Sequence, residues 1–138
     1  MLIALLMLVY FVVNTFNKSN KEKVPYYEGP TIYKDVALQF SRNIVAGRFI
    51  DAHKLLSRAL KLKYSPQTLA DTYVKMIEYF DTDNVSVNEE FVIREGDSGD
   101  KEYIYVPIDE PGNSEAIAVK VDYENNVLCI TELDWGRP

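Results

Sequence analysis

Apolar residues along this chain follow three spacings in turn: continuous, then helical, then alternating. Met1–Phe16 carries no charge, glycine or proline, and as a helix its sixteen residues reach ~24 Å, close to a short bilayer span. It lacks the basic start and the small-residue cleavage site of a secretory signal. Apolar on every side, it would need more protein around it than a small domain supplies. The segment therefore reads as a transmembrane anchor. Residues 17–32, with Pro25, Gly29 and Pro30 among polar residues, read as a linker.

Helical spacing follows. Val36, Phe40 and Ile44 recur every four residues behind Asp35, a plausible N-cap, until Gly47 interrupts them. Phe49, Ala52, Leu55, Leu56, Ala59 and Leu60 predict a second helix from near Arg48 to Leu62. Ser65 and Pro66 form a start signal for a third, whose stripe is Leu69, Tyr73, Met76, Ile77 and Phe80. Beyond Asp81 the period becomes two. Val85, Val87, Phe91 and Ile93 mark a first strand and Tyr103–Ile108 a second. Ile117, Val119, Val121 and Tyr123 mark a third, and Val127–Leu133 the fourth. Glu95–Lys101 and Asp109–Ser114 read as turns, and Glu124-Asn125-Asn126 as a tight one, because asparagine tolerates positive φ. The expected fold class is α+β: an N-terminal transmembrane helix, then three helices packed on a four-stranded antiparallel sheet, the domain proper covering residues 33–138.

Composition narrows the functional classes. A length of 138 residues with 47% apolar content suits one packed domain. The net charge of −6, with no lysine or arginine cluster after residue 24, excludes a nucleic-acid partner and suits a basic protein partner. Lys18, Lys21 and Lys23 follow the apolar segment, so the positive-inside rule favours a single-pass membrane protein with its soluble domain in the cytoplasm over an extracytoplasmic one. Cys129 is the only cysteine and sits in the apolar run Val127–Ile130, which rules out an intrachain disulfide and suits a small buried side chain.

Catalytic signals are sparse. His53 is the only histidine, with Asp51 and Ser57 beside it as ordinary helix neighbours, and nothing in the sequence has zinc-ligand spacing. Asp81-Thr82-Asp83-Asn84 lacks the glycine and distal glutamate of a calcium loop. No catalytic residue, metal or cofactor is assigned. Trp135 and Arg137, of residue types enriched at binding hot spots, suit an interface; closure of the core is an equal reading of Trp135.

The element order, with Ala37-x-x-Phe40, Val45-Ala-Gly-Arg-Phe49, Ala52-x-x-Leu55-Leu56 and Tyr64-Ser-Pro-x-x-Leu69, resembles the nuclear transport factor 2-like (cystatin-like) superfamily over residues 33–138. It looks most like small bacterial domains, some membrane-anchored and some immunity proteins of toxin systems, an impression to which Glu115–Tyr123 and Leu133–Pro138 add. The resemblance implies a cone of helices on a curved sheet. It also implies a noncatalytic, membrane-tethered protein-binding domain, an immunity-type protein that occludes a toxin. The alternatives are an assembly subunit of a membrane secretion or conjugation complex, and a small isomerase or hydrolase with a tyrosine-lined pocket. The expected binding surface is the concave sheet face and C-terminal tail: Tyr103, Tyr105, Glu115, Glu132, Asp134, Trp135 and Arg137.

Overall fold

The computed structural model describes Tyr27, residues 29–97 and residues 101–136. Helix α1 spans Thr31–Val45. It starts a turn before the expected cap at Asp35, because Pro30, with φ fixed at −62°, precedes it and accepts the Tyr33 N–H at 3.1 Å. Ala37, Leu38, Phe40 and Ile44 form its buried face. Gly47, at φ 74°, ends it in a Schellman motif: Arg48 N–H reaches Asn43 O at 2.8 Å and Gly47 N–H reaches Ile44 O at 3.1 Å.

The expected second helix is two: α2, Phe49–Lys54, and α3, Arg58–Lys63. The break at Leu55–Ser57 has a tertiary cause. Ile130 N–H donates to Leu55 O and Ser57 N–H donates to Ile130 O, both at 2.8 Å, so this linker lies as a one-residue parallel bridge along the sheet edge. The Ser57 hydroxyl then caps α3 by accepting Leu60 N–H, and Glu124 accepts Arg58 N–H at 3.0 Å. Helix α4, Pro66–Met76, begins as the sequence predicts, with Ser65 accepting Thr68 N–H and proline in the first turn.

The sheet has five strands rather than four. They are β1 (Ser86–Val87), β2 (Ile93–Asp97), β3 (Lys101–Glu110), β4 (Asn113–Glu124) and β5 (Val127–Trp135), all pairing antiparallel, with β1 and β2 both on one side of β3. The expected strand Val85–Ile93 is interrupted by a 3₁₀ turn at Glu89–Phe91. Val87 pairs with Ile108 and Ile93 with Tyr105, so residues 88–92 loop out opposite Val106 and Pro107. Pro107 accounts for this. Its carbonyl accepts Asn88 N–H at 2.9 Å, and on the same side it has no N–H to offer, so regular pairing lapses there. Two-residue turns close the later hairpins: Pro111-Gly112 with Gly112 at φ 91°, and Asn125-Asn126 at φ 50° and 63°.

The core lies between the helices and one sheet face. Leu38, Phe40, Ile44 and Leu69 meet Ile104, Val106, Ile108, Ile117, Val119 and Ile130. Tyr27 also belongs to this core, so the packed unit begins ahead of α1.

The transmembrane part of the expected fold, and with it the single-pass membrane location, is overturned. No helix among the described residues is long and apolar enough to cross a membrane. The longest, α1, has 15 residues and is apolar on one face only. The apolar segment Met1–Phe16 lies outside the described residues, as do Lys18, Lys21 and Lys23.

Candidate functional site

Strand alternation puts a second set of side chains on the sheet face turned away from the helices. Tyr103, Tyr105, Pro107 and Asp109 of β3 share it with Ser114, Ala116, Ala118 and Lys120 of β4, their register partners or neighbours. Glu132 and Asp134 of β5 join them opposite Lys120 and Ala118. Ala116 and Ala118 are small and nearly buried, so they form the floor of a trough. One wall is the Tyr103–Tyr105 pair, with ring centroids 6.3 Å apart, and the other is Glu132 and Asp134. Tyr103 donates its phenol proton to Glu132 across the floor. That hydrogen bond, then partial burial, then the negative charges nearby push the Tyr103 phenol up to about 12.

Of the seven residues expected at the binding surface, Tyr103, Tyr105, Glu132 and Asp134 stand on this face. Trp135 does not. It pairs with Ile117 and packs against the core, its indole N–H buried with no acceptor among the described residues. The cause is a bulge. Val121 pairs with Ile130 but Lys120 with Glu132, so Thr131 is an extra residue that reverses the alternation. Without it Glu132 and Asp134 would face the core and Trp135 would face away. Glu115 is on the helix side, at the end of β4, where its carboxylate accepts the Tyr79 hydroxyl at 2.6 Å. Arg137 lies outside the described residues.

The trough opens at that end into a cleft of about 920 Å³. Tyr79, Phe91, Ile93, Tyr105, Pro107 and Ala116 give it aromatic and aliphatic walls, and Asp109, Glu110 and Glu115 give it carboxylates. The loop that Pro107 forces out of the edge strand carries Asn88 and Phe91 into the cleft. Asn88 Nδ2 donates to Asp109 Oδ2 at 2.7 Å, and Ser114 Oγ donates to the other Asp109 oxygen. Glu110 is buried. It accepts from Asn113 and, at 3.0 and 2.9 Å, from the backbone and hydroxyl of Thr82. These bonds, Asn113's first, hold its carboxyl below the usual value despite burial. Neutral donors thus hold Glu110 in its charged form, an arrangement suited to binding rather than to passing a proton.

Sequence reasoning missed Tyr79, Asn88, Phe91 and Asp109 as site residues. Tyr79 had one visible signal, since it stands off the apolar stripe Leu69-Tyr73-Met76-Ile77-Phe80. Phe91 had none, because alternation counted it as strand. Tyr73, on the apolar stripe of α4, is buried against Phe49, ring centroids 6.4 Å apart, and burial raises its phenol. His53 on α2 is not among the residues lining the cleft. Cys129 is buried, and desolvation raises its thiol. Among the described residues no group of acidic, histidine and cysteine side chains is placed to hold a metal.

No protein-family model, characterised protein or solved structure matches this chain.

Proposed function

We propose that this domain binds a protein and acts by occupying it, without turnover. The observation that carries the reading is the trough: a sheet face with an alanine floor, a tyrosine wall and an acidic wall. Tyrosine offers large contact area at little conformational cost, and carboxylates give direction to a basic counterpart. The resemblance to immunity-type domains supplies a specific partner class, a toxin whose working surface the trough covers.

The test is co-expression with the product of the adjacent gene, followed by calorimetric titration of the two purified proteins. Binding should be weakened at least ~tenfold by Tyr105→Ala and by Asp134→Lys, variants at opposite walls. Circular dichroism establishes that each variant is folded. A neighbouring product that does not bind, or that binds both folded variants as tightly as the parent, overturns the reading.

A further inference from the structure

The cleft at the end of the trough is more specific in its chemistry than the trough itself. Three aromatic rings reach it, from Tyr79, Phe91 and Tyr105, and of these Tyr79 and Phe91 are 52% and 46% exposed, high for side chains of their size. Beside them stand Asp109 and Glu115, each hydrogen-bonded by neutral groups. Among the described residues lining the cleft there is no lysine, arginine or histidine. Aromatic faces next to carboxylates that, among the described residues, only neutral groups hydrogen-bond are complementary to a planar cation. A guanidinium stacks on a ring while donating two parallel hydrogen bonds to a carboxylate, which a compact ammonium does less well. At about 920 Å³ the cleft also exceeds what one side chain fills, leaving the Ile93, Pro107 and Ala116 wall for an apolar neighbour.

We propose that this cleft receives an arginine, flanked by an apolar residue, from the protein that the domain binds. The assignment rests on the protein-binding reading above and names the chemistry of the partner. Asp109 and Glu115 supply the charge and acceptors. Phe91 and Tyr105 supply the stacking surface. The net charge of −6 favours the approach of such a segment over that of an acidic one.

The probe is a capped octapeptide of alternating arginine and leucine, titrated into the full chain by fluorescence anisotropy. Its control is the same peptide with citrulline for arginine, which keeps the shape and removes the charge. The arginine peptide should bind at least ~tenfold more tightly than the control. Asp109→Asn with Glu115→Gln should remove most of that difference, and Phe91→Ser should weaken binding without removing the preference for arginine. Asp71→Asn, at an exposed carboxylate on α4 that does not line the cleft, should change affinity by less than ~twofold.

Equal binding of the citrulline peptide overturns the proposal. So does an equal loss in Asp71→Asn, which would reduce the effect to general surface acidity. Competition by free arginine or spermidine at the peptide's own concentration would also overturn it, making the cleft a small-cation site. The two readings fail separately. A natural partner weakened by the Tyr105→Ala and Asp134→Lys variants but indifferent to the Asp109 and Glu115 changes leaves protein binding standing and removes the arginine cleft. Specific peptide binding with no protein partner does the reverse.

Discussion

Thr131 shows how one residue redistributes function over a sheet. As the extra residue in β5 it turns Glu132 and Asp134 to the free face and Trp135 to the core. The sequence marks Trp135 as noteworthy but cannot say which face it takes, because a bulge leaves no signature in apolar alternation. Its indole N–H has no acceptor among the described residues, so among those residues its contribution is packing. Trp135→Phe should therefore cost less than ~1 kcal/mol, since it removes an unsatisfied donor along with some area, whereas Trp135→Ala should cost ~2–4 kcal/mol. Urea denaturation measures both, and equal costs would show that the N–H is satisfied. Tyr103 gives a pH prediction. Its folded phenol titrates at about 12 against an ordinary value of 10. The Tyr103–Glu132 bond thus stabilises the fold fully below pH 10, and that contribution is lost as pH rises from 10 through about 12. Tyr103→Phe should lose stability relative to the parent below that window and match it above. Tyrosinate absorbance should show a late-titrating phenol in the parent that moves down in Glu132→Gln.

Elements were legible where their signals are local. Ser65-Pro66 starts α4, Gly47 ends α1, and Asn125-Asn126 makes the last hairpin because each residue acts on its own backbone. Two features were not legible, and both depend on distant partners. The break between α2 and α3 exists because Leu55 and Ser57 bond Ile130, far along the chain. The loop at residues 88–92 exists because Pro107 on the facing strand lacks a donor. Helix α4 separates pattern from burial. Its stripe reads as uniform, yet Leu69 is fully buried while Ile77 lies at the helix end and is only half-buried. Leu69→Ala should cost ~2–5 kcal/mol and Ile77→Ala about half as much or less. Thermal melts of the two variants decide this, and a larger shift for Ile77→Ala would mean that α4 continues past Met76 in solution.

Across the whole molecule, the helices consume one sheet face and leave the other to carry acid and tyrosine. Half of that face was readable from alternation alone, since Tyr103 and Tyr105 are two residues apart on one strand. The cleft beyond it was not, because it draws Tyr79, Phe91, Asp109 and Ser114 from four separate segments. The charge is unevenly used as well. Glu132, Asp134, Asp109 and Glu115 sit on or beside the trough, with Lys120 a cation of that face. Such a field acts at a distance comparable to the Debye length, which shrinks from roughly 30 Å at 0.01 M salt to about 8 Å at 0.15 M. The rate of association with a basic protein should then fall ~tenfold over that range while the dissociation rate changes by less than ~twofold, because short contacts inside the trough are screened far less. Stopped-flow and surface-capture kinetics at several salt concentrations measure the two rates separately. Asp134→Lys should flatten the salt dependence of association. A parent association rate indifferent to salt would remove steering by the acidic wall and leave the aromatic wall as the basis of recognition.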